Sequence, residues 1–173
     1  NLSVLDIFKI GLGPSSSHTM GPMNAARRFA QDLEERALLP RVHAIAAQLY
    51  GSLALTGKGH CTDRAGLLGL EGFAPDTVDP DAIEPTLARI REQRRLRLAG
   101  SHEIHFDEPM DLLFHRDQTL PGHPNGMRFT ALDAAGAVLH REEFFSTGGG
   151  FIVRAAALGQ PPGDARAVQV PLP

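Results

Sequence analysis

Apolar positions recur at three- and four-residue steps through Met23, Ala26, Phe29 or Ala30, Leu33 and Ala37. That spacing predicts an amphipathic helix over Pro22 to Leu38, with Arg27, Arg28, Asp32 and Glu35 turned outward. Pro22 fits the first turn, Thr19 or one of the serines before it is the expected cap, and Pro40 closes the helix. Ahead of it, Leu2, Val4, Leu5, Ile7, Phe8 and Ile10 make a short apolar segment that suits either a helix or an extended arm. Arg41 to Tyr50 reads as a strand, its alternation outweighing its alanines, and Leu53 to Thr56 as a short helical piece after a turn at Gly51-Ser52. Thr62 is placed to cap a helix running through Ala65, Leu67, Leu68 and Leu70, with Asp63 in its first turn. A further helix is expected with Pro85 at its first position, a stripe at Leu87 and Ile90, and an end by Gly100.

From Ser101 onward the period changes to two. Ile104 and Phe106, Leu112 and Phe114, Met127 with Phe129 and Ala131, then Val138 with His140 and Glu142, predict successive strands. Asp133 to Gly136 is a hairpin turn. The fold class expected is therefore α+β: a small, mainly antiparallel sheet with helices packed on it. Residues 1–158 form one domain, and the proline-rich stretch 159–173 reads as a linker or tail.

The 173 residues and 42% hydrophobic content suffice for one real core. A net charge of −3 and a pI near 6.2 argue against a nucleic-acid binder. The arginines at 89, 91, 94, 95 and 97 then read as a solvated face. One cysteine, Cys61, allows neither an intrachain disulfide nor an all-cysteine metal cluster, which fits a reducing compartment. No apolar run approaches the roughly 20 residues that span a bilayer, so the expectation is a cytoplasmic chain without membrane contact.

Two glycine-containing loops carry the candidate chemistry: Gly11 to Pro22, with Ser15, Ser16, Ser17, His18 and Thr19, and Gly57 to Asp63, with Lys58, His60 and Cys61. Each histidine lies at or just before a helix start, where free N–H groups and the helix dipole suit a carboxylate. In that setting an imidazole either transfers protons or braces its own loop, and spacing does not choose. Lys58 could attract an anionic substrate, and Asp63 could orient the His60 imidazole. No nucleophile elbow surrounds the serines, which favours binding over attack, and neither glycine loop satisfies a dinucleotide or P-loop pattern. His102 and His105 fall on what reads as a strand and would face opposite sides, so they are surface or core-edge residues. His115, His123 and His140 have no evident partner, and Cys61 reads as a small buried filler. The glycine run Gly148 to Gly150 marks a place where a backbone or a ligand comes close.

Five segments in order, Gly13 to Met23, Tyr50 to Leu53, Thr56 to Asp63, Asn125 to Met127 and Ser146 to Phe151, resemble the iron–sulfur-dependent bacterial L-serine dehydratases. The resemblance runs from about Ser3 to Val153 and covers that family's amino-terminal, or beta, domain. It implies a fold similar to the allosteric substrate-binding domain of a class of phosphoglycerate dehydrogenases. It also implies a partner alpha domain that ligates a four-iron four-sulfur cluster, with no metal ligand in this chain. L-serine is the implied substrate, His60 the general base, and His18 a second proton-transfer or orienting residue. Ser15, Ser17, Thr19 and Lys58 would bind substrate, Asp63 would orient, and the enzyme would self-associate. Cys61, where the family commonly has glycine or histidine, and Pro124, in place of a more usual acidic residue, depart from the pattern. The competing expectations are a regulatory serine-binding module and an assembly domain, neither with proton chemistry.

Overall fold

The computed structural model describes residues 16–56 and 61–158. The expectations for Asn1 to Ile10, for Ser15, Lys58 and His60, and for the stretch 159–173 lie outside the described residues.

A π-helical turn, Ser16–Met20, leads into α1, Gly21–Glu35. Met20, rather than the Thr19 or serine expected, stands at the cap position of α1 and makes no side-chain cap bond there. The helix stops three residues early because Ala37 takes a left-handed φ of 55°. Its buried stripe includes Met23, Ala26, Phe29, Ala30 and Leu33 as predicted. Asp32, expected on the outer face, is buried instead. A 3-10 turn over Leu39–Arg41 then delivers β1, Ala44–Tyr50, shorter than the predicted strand.

Three helices follow: α2, Gly51–Thr56, α3, Thr62–Leu70, and α4, Pro80–Gln93. Asp79 caps α4 by accepting from the Asp81 N–H at 3.0 Å, so Pro80 takes the N-terminal position and Pro85 lies inside the helix. The helix does not run to Gly100. Arg94 turns left-handed at φ 52°, and β2, Arg95–Leu98, pairs antiparallel with β3, His102–His105, burying Leu96, Leu98 and Ile104 in the main core.

After the single turn α5, Glu108–Asp111, come β4, Leu112–His115, β5, Gly126–Leu132, β6, Val138–Gly148, and β7, Phe151–Arg154. With β1 they form a five-stranded sheet in the order β4-β1-β5-β6-β7. β4 runs parallel to β1 and the remaining pairs are antiparallel, so the sheet is mixed. The two arginines nearest α4's middle are not simply solvated: Arg89 pairs with buried Glu71, and Arg91 pairs with Glu108.

α1 lies across β5 and β6, where Phe29 stacks on Phe129 at 5.4 Å between ring centroids and on His140 at 5.5 Å. α3 packs on α1 at a glycine: a Cβ added at Gly69 would sit 2.3 Å from the Met23 carbonyl oxygen. The carboxyl ends of β1 and β6, the start of β5 and the amino ends of α1 and α3 consequently gather at one end of the molecule. A small second cluster, Tyr50, Leu120 and Phe145, supports the sheet there from its opposite face.

Candidate functional site

His18 sits in the π-helical turn at that end, half-buried. A π turn is wider than an α turn, and its carbonyls are easily taken by groups outside the helix. Here two consecutive carbonyls are taken by side chains from distant segments. Ser146 Oγ, at the end of β6, donates to the Ser17 carbonyl at 2.6 Å. Thr62 Oγ1, at the start of α3, donates to the His18 carbonyl at 2.5 Å. Both donors are fully buried, at 0% exposure. The imidazole itself shares a 2.9 Å hydrogen bond between Nδ1 and Ser17 Oγ. Thr19 is buried beside them.

Thr62 is therefore not the cap that its position in the sequence suggests. The residue before α3 is Cys61, in a left-handed conformation at φ 60° with no side-chain cap bond, and its side chain is half-buried rather than a core filler. Further bonds tie the remaining segments together. Asn125 Nδ2 donates to the Ser146 carbonyl at 3.1 Å, the Ser146 N–H donates to the Asn125 carbonyl at 3.0 Å, and the Ser52 hydroxyl donates to Asn125 Oδ1. Asn24 Nδ2, buried on α1, donates to the Gly150 carbonyl at 2.8 Å, while the glycine run meets no close approach at Gly148 and instead holds positive φ at Gly148, Gly149 and Gly150. At the β1–α2 junction Gly51 has φ +57°, and any Cβ there would lie 2.2 Å from the Pro124 carbonyl oxygen. Only glycine fits that turn.

Of the expected site residues, Ser17, His18 and Thr19 are thus gathered in one turn, while Ser15, Lys58 and His60 fall outside the described residues. Asp63 follows Thr62 on α3 and faces another group. Its carboxylate lies 3.6 Å from Arg91 Nη2, and Arg91 grips Glu108 through two bonds of 2.7 and 3.1 Å. Burial pushes the Asp63 carboxyl above its ordinary 3.8, the Glu108 carboxylate adds to the rise, and the Arg64 N–H and the Arg91 cation oppose it. Asp63 Oδ1 is buried without a hydrogen-bond partner. These groups line a cavity of about 610 Å³ with Leu112, Phe114 and Arg116.

Sequence reading missed Asn24, Thr62 and Ser146 as site-building residues. Thr62 and Ser146 lie inside the quoted segments, but a hydroxyl's partner is not encoded in its neighbours. Asn24 carries no local signal at all. Three other histidines have ordinary partners: His102 Nε2 bonds the Val42 carbonyl, His115 bonds Gln48 and stacks on Tyr50, and His123 Nδ1 accepts from the Asn125 N–H, while His140 stacks on Phe29 with its Nε2 buried and without a hydrogen bond.

Among the described residues one trio could in principle ligate a metal: Asp32, His140 and Glu142, with donor atoms within 4.8 Å of one another. The Arg154 guanidinium already fills it, meeting both Asp32 oxygens at 2.8 Å and Glu142 Oε1 at 3.1 Å. Hydrogen bonding to Asp32 in turn holds the Arg154 guanidinium above its usual range. This is an ion-pair cluster joining α1, β6 and β7. A four-iron cluster needs several thiolates, and one cysteine cannot furnish them. The chain by itself does not fit such a cofactor.

The family model described as "Serine dehydratase beta chain" matches residues 3–157. Among similar proteins, "L-serine dehydratase 2" of Escherichia coli K12 is 49% identical over 173 residues, covering 99% of this chain and 37% of that protein. "L-serine dehydratase" of Streptomyces coelicolor is 48% identical over 158 residues, or 91% of this chain and 35% of that protein. "L-serine dehydratase" of Mycobacterium tuberculosis is 49% identical over 152 residues, or 88% and 33%. The chain spans about a third of the length of these relatives.

Proposed function

The chain belongs to the serine dehydratase beta chain family, and from that premise we propose that it forms part of an enzyme converting L-serine to pyruvate and ammonia. The other part is an alpha domain or chain carrying a four-iron four-sulfur cluster, because this chain's donors do not suit one. Bound there, the cluster supplies Lewis acidity to the substrate. This chain supplies the proton chemistry. A neutral imidazole, His60 as the general base, removes the Cα proton of serine, the Cα–Cβ double bond forms, and the β-hydroxyl departs as water once protonated. The aminoacrylate product tautomerises and hydrolyses to pyruvate and ammonium.

His18 serves as a second proton-transfer or orienting group, and its bond to Ser17 Oγ supports a fixed ring orientation. Ser15, Ser17, Thr19 and Lys58 hold the substrate carboxylate or line the pocket, and Asp63 orients the His60 imidazole. The observation that carries the reading is the convergence of the matched segments on His18: α3 and β6 each brace the histidine-bearing turn through a side-chain hydroxyl, and Asn125 in turn holds Ser146. A cytoplasmic location, self-association, the 159–173 linker and the likeness to the phosphoglycerate dehydrogenase domain belong to the same proposal. Among the described residues no helix is long and apolar enough to cross a membrane.

The test is replacement of His18 or His60 by Ala in the full-length enzyme. Turnover should fall by two or more orders of magnitude while iron content is unchanged, since proton-transfer groups contribute about 10²–10⁴-fold. A second reading, a serine-binding module without proton chemistry, draws on the Asp63–Arg91 cavity. Near-normal turnover in both variants would favour it.

A further inference from the structure

We infer that Thr62 is a positioning residue, and that its hydroxyl fixes the His18 turn to the peptide that emerges from the second histidine loop. The inference deepens the reading above and depends on His18 belonging to the site. Its basis is geometric. Thr62 is the first residue of α3, with Cys61 at the cap position, and its hydroxyl bonds outside that helix. It reaches across 44 residues of sequence to the His18 carbonyl at 2.5 Å, from a position with no solvent exposure.

Thr62 also lies two residues after His60 in the chain. One hydrogen bond therefore links the backbone of His18 to the first residue of α3. Ser146 grips the adjacent Ser17 carbonyl from the other side, so the turn is held at two successive carbonyls by two different elements. Displacing a reacting group by about 1 Å costs on the order of 100-fold in rate. A single strut can therefore matter to turnover out of proportion to its contribution to folding.

The experiment uses the full-length enzyme with Thr62→Val, which keeps the shape and removes the donor, and Thr62→Ser, which keeps the donor. kcat for L-serine should fall by about 10- to 100-fold in T62V, with KM changed far less, and T62S should recover to within about threefold. In a His18→Ala background T62V should cost less than about twofold, because the strut has lost what it positions. Amide hydrogen exchange of peptides covering residues 16–24 should be faster in T62V but not in T62S, with the β5 peptides unchanged.

Wild-type exchange over residues 16–24 in T62V would overturn the inference whatever the turnover. So would near-normal turnover in T62V while H18A is inactive, or losses from T62V and H18A that multiply independently. Accelerated exchange together with a fully active H18A would leave the strut established and refute the catalytic reading of His18 instead.

Discussion

Gly69→Ala and Gly66→Ala add the same methyl group to the same helix three residues apart and should move stability in opposite directions. At Gly69 the new Cβ would lie 2.3 Å from the Met23 carbonyl oxygen, 2.8 Å from the Ala26 Cβ and 3.1 Å from the Arg27 nitrogen. Ordinary contact begins near 3.4 Å, so α1 and α3 must separate by about 1 Å, and the opposing backbone atoms cannot rotate away. Overpacking of this kind costs about 1–3 kcal/mol, against a helix-propensity gain of about 1 kcal/mol. The clash falls on backbone, which places the expected net loss near 2 kcal/mol, toward the upper end of that range. At Gly66 nothing among the described residues lies within 4 Å of the added Cβ, so only the gain of about 1 kcal/mol remains. With a urea m-value of about 2 kcal/mol/M, the unfolding midpoint should drop by about 1 M in G69A and rise by about 0.5 M in G66A. Equilibrium unfolding followed by circular dichroism reads both. A G69A midpoint at or above wild type would refute the claim that these helices touch through their backbones. The spacing also bears on function, since α1 begins at the His18 turn and α3 begins at Thr62.

Two further outcomes follow from the charged groups. Burial raises the Asp63 carboxyl, so the folded chain binds that proton more tightly than the unfolded chain, and stability declines as pH rises from 3.8 through the folded value. Asp63→Asn should therefore raise Tm at neutral pH, with the advantage vanishing below pH 3.8; a lower Tm at pH 7 would mean that attraction to Arg91 outweighs burial. Arg154→Met should leave Asp32, only 5% exposed, with the weaker support of Arg28 at 3.3 Å. A loss of about 3 kcal/mol is expected, at the low end of the range for breaking a buried pair, and an unchanged denaturation midpoint would contradict it.

Local periodicity located the main helices and strands well wherever one face is buried and the other wet. It failed where two signals compete. Pro80 and Pro85 both fit a helix start, and Asp79 decides for Pro80 by capping the chain there. The arginines between 89 and 97 mask a change of period, so the alternation of Leu96 and Leu98 went unread until β3 supplied a partner. Parallel pairing of β4 with β1 could not be read at all, because alternation of side chains is the same for either strand direction. In the candidate site the reverse held. The segments themselves were legible, but the roles of Thr62, Ser146 and Asn24 were not.

The amino-acid pattern alone placed most of the apolar core, showed that the chain mixes helices with a small sheet, and marked the turn before α1, with Ser17, His18 and Thr19, as candidate chemistry. Hydrophobic spacing and turn chemistry act over a few residues, so a local pattern contains them. Folding decided what each polar side chain meets: Thr62 the His18 carbonyl 44 positions away, Asp32 the Arg154 guanidinium 122 positions away. A buried polar group must find a partner, but nothing in its own neighbourhood says which one.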